Sequence, residues 1–256
     1  MNISGGKGVA GRVVRGRLVI MLVLLAMLPA CATTGTTSPG GVQKTPEKKQ
    51  GNFRISNLAK SDVSYMADIA KEQMESMLQE LMVKLYKRNP RELRKSAAPD
   101  IKARLDAIFG HRGRLVFDEL EGKEEIYAML LGLDPEYAGD RVFAIVAGLT
   151  GMVRRSYGYR EEFFILDALN EQALYNAARN VEVLSWRLRV RENEQGDPML
   201  LTNSLPDEPE NLSFARLFGK MIGTQDLMAQ FVASSENRTI TKVVHTVGSM
   251  VFIPVP

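Results

Sequence analysis

Asp62–Arg88 reads DVSYMADIAKEQMESMLQELMVKLYKR, and the spacing of its apolar residues decides the fold class. Val63, Ala67, Ala70, Met74, Met77, Leu81 and Leu85 follow one another at steps of four, three, four, three, four and four. A helix turns once in about 3.6 residues, so the whole series falls on one face. Met66, Leu78 and Met82 widen that stripe. Ser61 and Asp62 are of the types that cap a helix start, because a short side-chain oxygen can accept a free N–H of the first turn. Asn89-Pro90 ends the element and begins another, since proline disfavours a helical residue before it and is tolerated in a first turn.

Outward from this helix the chain keeps the same period. Pro99-Asp100 opens a short helix that runs to Phe109 and stops at Gly110. Leu115–Leu131 is a weaker helical stretch with a break at Gly122. Asp140–Tyr157 contains VFAIVAGLTGMV, apolar nearly all round, and its 12 residues are too few to span a bilayer. That composition predicts a helix enclosed by protein. Glu161–Arg191 reads as a second long helix, with Phe163, Leu166, Leu169, Ala173, Ala177, Val181, Leu184 and Leu188 in register and Trp186 near its end. Asn193–Asn211 holds Gly196, Pro198, Pro206 and Pro209 and reads as a long loop. Two helices follow, over 213–222 and 225–234. Arg238–Phe252 has helical spacing at Ile240, Val243, Val244, Val247 and Val251 but β-branched side chains; the lack of any other strand to pair with tips it towards helix. No internal repeat is present. The expectation is an all-α, bundle-like domain over 53–256 preceded by a disordered N-terminal tether.

The front of the chain has a different character. Lys7, Arg12, Arg15 and Arg17 precede an apolar run of 11 residues, Leu18–Leu28, and then Pro29, Ala30 and Cys31. Charge, grease and small residues in that order form the layout of a secretory signal over 1–30. At about 1.5 Å per residue the run is too short to cross a hydrocarbon core of about 30 Å. Residues 32–52, ATTGTTSPGGVQKTPEKKQGN, hold one lone aliphatic side chain, Val42, and cannot bury enough to fold. About 20 residues of such linker reach roughly 25 Å.

Leu28-Pro29-Ala30-Cys31 resembles the lipobox of bacterial lipoproteins. The resemblance covers residues 1–31, and Pro29 departs from the commoner Ala, Ser or Thr. It implies that Cys31 is diacylglycerylated, that the leader is cut before it, and that the new amine is acylated. Several acyl chains on one residue anchor far more firmly than one. Ala32, where an inner-membrane protein would carry Asp, resembles the enterobacterial pattern for the outer membrane, with inner membrane and cell surface as the other destinations. An ordinary cleaved signal with an incidental Cys31, or an uncleaved anchor, is the alternative. Leu85-Tyr86-Lys87-Arg88-Asn89-Pro90-Arg91-Glu92 is also similar to a segment of an uncharacterised proteobacterial lipoprotein family, which implies location and no activity.

Composition narrows the chemistry. The chain has 33 Lys+Arg and 30 Asp+Glu; without residues 1–30 the balance is 29 against 30. The basicity therefore belongs to the leader, and nucleic acid is not an expected partner. Cys31 is the single cysteine, so no disulfide, cysteine ligand or cysteine nucleophile exists beyond it. His111 and His245 lack metal-ligand spacing, and Val247-Gly248-Ser249-Met250-Val251 lacks the flanking glycines of a nucleophile elbow. Glu124-Glu125 and Glu161-Glu162 pair carboxylates, as sugar hydrolysis needs, but acids at helix starts also suit the helix dipole. Gly148-Leu149-Thr150-Gly151 has no lysine at phosphate-loop spacing. No catalytic residue, metal ligand or cofactor is expected.

Two binding possibilities remain. Met66, Met74, Met77 and Met82 either fill the core or line an adaptable groove. Arg154, Arg155, Arg187, Arg189 and Arg191 either complement helix C-termini or contact an anionic partner. The expected function is a structural or partner-binding lipoprotein, held to the membrane by its anchor and facing another envelope protein in the periplasm. A helical carrier for a small molecule or lipid stands second and an envelope hydrolase third.

Overall fold

The computed structural model describes residues 62–164, 167–193, 196–202, 204, 208–242 and 251–256. The leader, Cys31, the linker, His245 and residues 243–250 lie outside them. The described residues form seven α-helices: α1 (Asp62–Arg88), α2 (Pro90–Leu93), α3 (Ile101–Phe109), α4 (Glu125–Gly132), α5 (Arg141–Ser156), α6 (Glu171–Val190) and α7 (Ser213–Ser235). A single turn of 3₁₀-helix spans Asp118–Leu120. The described residues contain no strand; Glu192 and Pro198 form one isolated antiparallel bridge. The fold is all-α. None of the described helices is long and apolar enough to cross a membrane.

α1 has the bounds that its stripe predicts. Ala67, Ala70, Met74, Met77, Leu78, Leu81, Met82 and Leu85 are buried, while Asp62 in the first turn and Lys87 and Arg88 in the last complement the dipole. α5 lies at the centre and packs against α1, α4 and α6. Every one of its residues but Arg155 is buried. Asp140 caps it, its Oδ1 accepting the Phe143 N–H at 3.0 Å. Gly148 lets the α4 backbone come close, for a methyl there would stand 2.5 Å from the Glu125 carbonyl oxygen. α7 covers α6 and α1, with Arg179 of α6 paired to Asp226 of α7 at 2.6 Å. Asp100 caps α3 by accepting the Ala103 N–H at 2.7 Å.

Three expectations are corrected. The helix expected from Glu161 begins at Glu171, because Asp167 accepts the Phe164 N–H at 2.8 Å and Asn170 accepts the Ala173 N–H at 3.0 Å. Those local bonds compete with helical ones, and Phe163 is buried from a non-helical segment. The two helices expected over 213–222 and 225–234 are the single helix α7. Gly223 does not break it, because Met221, Gln225 and Met228 on either side are packed into the core. The helix expected from Arg238 is absent at 238–242 and at 251–252, where the chain follows an irregular path.

Candidate functional site

A buried arginine builds the floor of the site. Arg154 sits in the last turn of α5 with its side chain 5% exposed. Its Nε donates to Glu75 Oε1 at 2.8 Å and its Nη2 to Glu75 Oε2 at 3.3 Å. Its Nη1 donates to the carbonyl of His111 at 2.9 Å. One guanidinium thus fixes α1, α5 and the turn after α3 to one another, and the forked contact adds direction as well as charge. Over it opens a cleft of about 710 Å³, bounded by the outer face of α1, the 109–113 turn and the 159–162 segment.

The far wall is fastened to α1 at several points. Asp68 accepts the Phe163 N–H at 3.1 Å, and Lys71 donates to the Glu161 carbonyl at 3.1 Å. Arg112 pairs with Glu161. Tyr159 takes a left-handed backbone conformation, φ 56°, and its hydroxyl donates to Glu125, whose own φ is 50°. Non-glycine residues held there cost about 1–3 kcal/mol each, so the surrounding contacts must impose the shape. Burial, and then the Glu125 carboxylate, raise the Tyr159 hydroxyl above the ordinary tyrosine range. Tyr65 and Ile69 stand exposed along the α1 side of the rim.

The lining is mixed in charge. Carboxylates of Asp68, Glu72, Glu75, Glu161 and Glu162 face cations of Lys71, Arg112, Arg154 and Arg160. Such a lining presents neither charge of a single sign nor an enclosed apolar wall. His111 is exposed, and its ring makes no hydrogen bond among the described residues. Glu75 is engaged by Arg154. The described residues contain no group of three or more His, Cys, Asp or Glu placed to hold a metal ion. A second hollow of about 340 Å³ is lined by Arg91, Glu92, Lys95 and Arg141. Its polar groups serve the fold: buried Glu92 accepts the Arg141 N–H at 3.0 Å and the Lys95 Nζ at 2.9 Å. Arg141 donates to the carbonyls of Gly132 and Pro135 at 3.1 and 2.8 Å.

Of the residues singled out from sequence, Met74, Met77 and Met82 lie in the closed core and Met66 is 37% exposed. Neither hollow is lined by any of the four. The five arginines are not gathered at one site, and only Arg154 reaches the cleft. Arg155 pairs with Glu125 at 3.2 Å. Arg187 lies 4.8 Å over the Phe252 ring, and Arg189 and Arg191 are exposed. Glu161 and Glu162 belong to the cleft wall, whereas Glu124 pairs with Arg114 at 2.6 Å. Sequence reading missed Glu75, Asp68 and Tyr159. The signal for Glu75 was weak: one acid on the polar face of α1 among several.

The chain matches no protein-family model, no curated protein and no solved structure.

Proposed function

We propose that the chain is a lipid-anchored protein of the bacterial envelope that holds another envelope protein against the α1 cleft. In this reading Cys31 is the acylated first residue of the mature protein. Residues 32–52 are the leash, and the helical domain faces the periplasm from the outer membrane. The observation that supports binding over catalysis is the cleft itself: an open trough of opposed fixed charges above a floor locked by Arg154 and Glu75. A carrier for lipid or another apolar ligand would need enclosed apolar walls, and the cleft is open and polar.

Site-specific photo-cross-linking in the native host tests the cleft. A photoreactive residue at Ile69 or Gln79, both lining it, should give one adduct of defined mass in intact membranes, and one at exposed Lys220 on α7 should not. The same adducts from all three positions, or none from Ile69 and Gln79, would reject the docking role. Fatty-acid labelling tests the anchor: wild type should take label and Cys31→Ala should not. Label on both or on neither would refute acylation at that thiol.

A further inference from the structure

Carboxamide side chains on α6 treat an extended segment of the chain as a neighbouring β-strand would. Gln172, Asn176 and Asn180 stand at i, i+4 and i+8, one above another on a single helix face. Asn180 is fully buried. Its Nδ2 donates to the Ile253 carbonyl at 2.7 Å and its Oδ1 accepts the Ile253 N–H at 2.7 Å. In extended chain the N–H and C=O of one residue point to the same side, so a single carboxamide satisfies both, as the facing residue of an antiparallel pair does. Asn176 meets Pro254, which has no N–H to offer. Its Nδ2 donates to the Pro254 carbonyl at 2.8 Å, and its Oδ1 instead accepts from Gln172 Nε2 at 2.8 Å. Gln172 grips Thr241 in the two-way manner, donating to its carbonyl at 3.1 Å and accepting its N–H at 2.8 Å.

Side chains add two anchors. Phe252 and Val255 are buried, while Val251, Pro254 and Pro256 are exposed. The Arg187 guanidinium covers the Phe252 ring at 4.8 Å. The tail therefore runs antiparallel to α6, with Phe252 at Arg187, Ile253 at Asn180 and Pro254 at Asn176. Backbone bonds that ignore side-chain identity, joined to two apolar sockets three residues apart, are the physics of extended-peptide recognition. The two prolines restrict the tail to extended shapes and lower the cost of ordering it.

We infer that this face of α6 is a groove for an extended, uncharged peptide carrying an aromatic residue followed three positions later by an aliphatic one, and that residues 251–256 occupy it as a removable plug. These hydrogen bonds between the tail and α6 run through the side chains of Asn176 and Asn180 and not through the helix backbone, so removing the plug takes no backbone bond from the helix. Buried amide groups need partners, so the emptied face demands another backbone. The groove shares no lining residue with the α1 cleft, and either site can fail without the other.

The test uses the full-length chain in detergent and a fluorescent synthetic peptide, MVFIPVP, of residues 250–256. Phe252→Ala weakens the plug, so that variant should bind the probe at least ten-fold more tightly than wild type by fluorescence anisotropy. A probe N-methylated at its isoleucine lacks the N–H that Asn180 accepts and should bind that same variant at least ten-fold more weakly. Should circular dichroism show that Phe252→Ala has lost helix, Ile253→Pro, which removes that N–H together with the isoleucine side chain and leaves Phe252 in place, is read in the same way. Equal probe affinity for wild type and the weakened variant overturns the inference. Equal affinity of the methylated and plain probes overturns it as well.

Discussion

The carboxylate of Asp140 and the guanidinium of Arg104 meet at 3.0 Å in the interior, at the point where the chain enters α5. The same Asp140 Oδ2 accepts the Tyr86 hydroxyl at 2.7 Å, while Oδ1 caps the helix through the Phe143 N–H at 3.0 Å. Arg104 is forked on Glu119, with both bonds 2.7 Å, and lies 3.8 Å over the Phe143 ring. One carboxylate thereby serves as helix cap, counterion and acceptor for α1. Removing a partner from a buried pair costs about 3–5 kcal/mol, because the other charge stays buried. Asp140→Ala should sit near the lower end of that range, since Arg104 keeps Glu119. Urea midpoints for Asp140→Ala, Arg104→Met and the double variant check this. A coupling energy near zero in that cycle would mean that the two residues act independently.

Tyr157 makes the opposite prediction. Its hydroxyl is buried with no hydrogen-bond partner among the described residues, and burial raises its pKa above the ordinary tyrosine range. The native state keeps a proton that the unfolded chain releases above about pH 10, so stability is full below that pH and falls as pH climbs past it. Tyr86 and Tyr159 are raised too, by burial first and then by Asp140 and Glu125 respectively, and steepen the loss. Tyr157→Phe discards an unsatisfied polar group and should stabilise the neutral protein by about 1 kcal/mol and flatten its alkaline decline. Tyr86→Phe should instead destabilise at pH 7, because its hydroxyl is bonded to Asp140. Melting temperatures between about pH 7 and 11 separate the two.

How far the sequence foretells this fold depends on whether a signal is local. α1 was legible to its last residue because a one-faced apolar stripe meets Asn89-Pro90, and the starts of α3 and α5 because Asp100 and Asp140 stand directly before them. The start of α6 was not, since Phe163, Leu166 and Leu169 continue the helical period while Asp167 and Asn170 spend their oxygens on backbone N–H groups nearby. The continuity of α7 through Gly223 was hidden because tertiary packing, not propensity, decides it. The cleft was illegible, as its lining comes from 65–79, 109–113 and 154–162, and no spacing within any one stretch announces that they meet. The α6 groove had a local sign: Gln172, Asn176 and Asn180 recur at helical spacing beside Ala173, Ala177 and Val181, and amides on a buried face must find partners.

Two glycines should respond oppositely to the same change. A methyl at Gly148 would lie 2.5 Å from the Glu125 carbonyl oxygen and 2.7 Å from the Met129 amide nitrogen, both backbone atoms of α4 that cannot swing aside. Gly148→Ala should therefore force α4 and α5 apart and cost about 2 kcal/mol, within the usual range for overpacking. Gly223, midway along α7, has open space where its methyl would go. Gly223→Ala should gain about 0.5–1 kcal/mol by limiting the unfolded chain. Paired urea titrations check the signs, and a stabilising Gly148→Ala would disprove the close α4–α5 approach.

Asn89 turns the corner between α1 and α2 and holds a distant loop by the two-way grip that Asn180 uses on the tail. Its Oδ1 accepts the Leu201 N–H at 2.7 Å, and its Nδ2 donates to the Leu201 carbonyl at 3.1 Å and to the Leu85 carbonyl at 2.9 Å. Leu200, next in the chain, is buried in the core, so the grip fixes where the loop between α6 and α7 enters it. Asn89→Ala strips both backbone partners from Leu201 and should cost about 1–2 kcal/mol overall. The local effect should be larger than the global one, because the loop opens without unfolding the helices. Hydrogen exchange read residue by residue distinguishes these: the Leu201 amide should exchange faster by ten-fold or more, with protection in α5 lowered only by the global cost. Equal loss of protection at Leu201 and throughout α5 would mean that the loop and the core open as one unit.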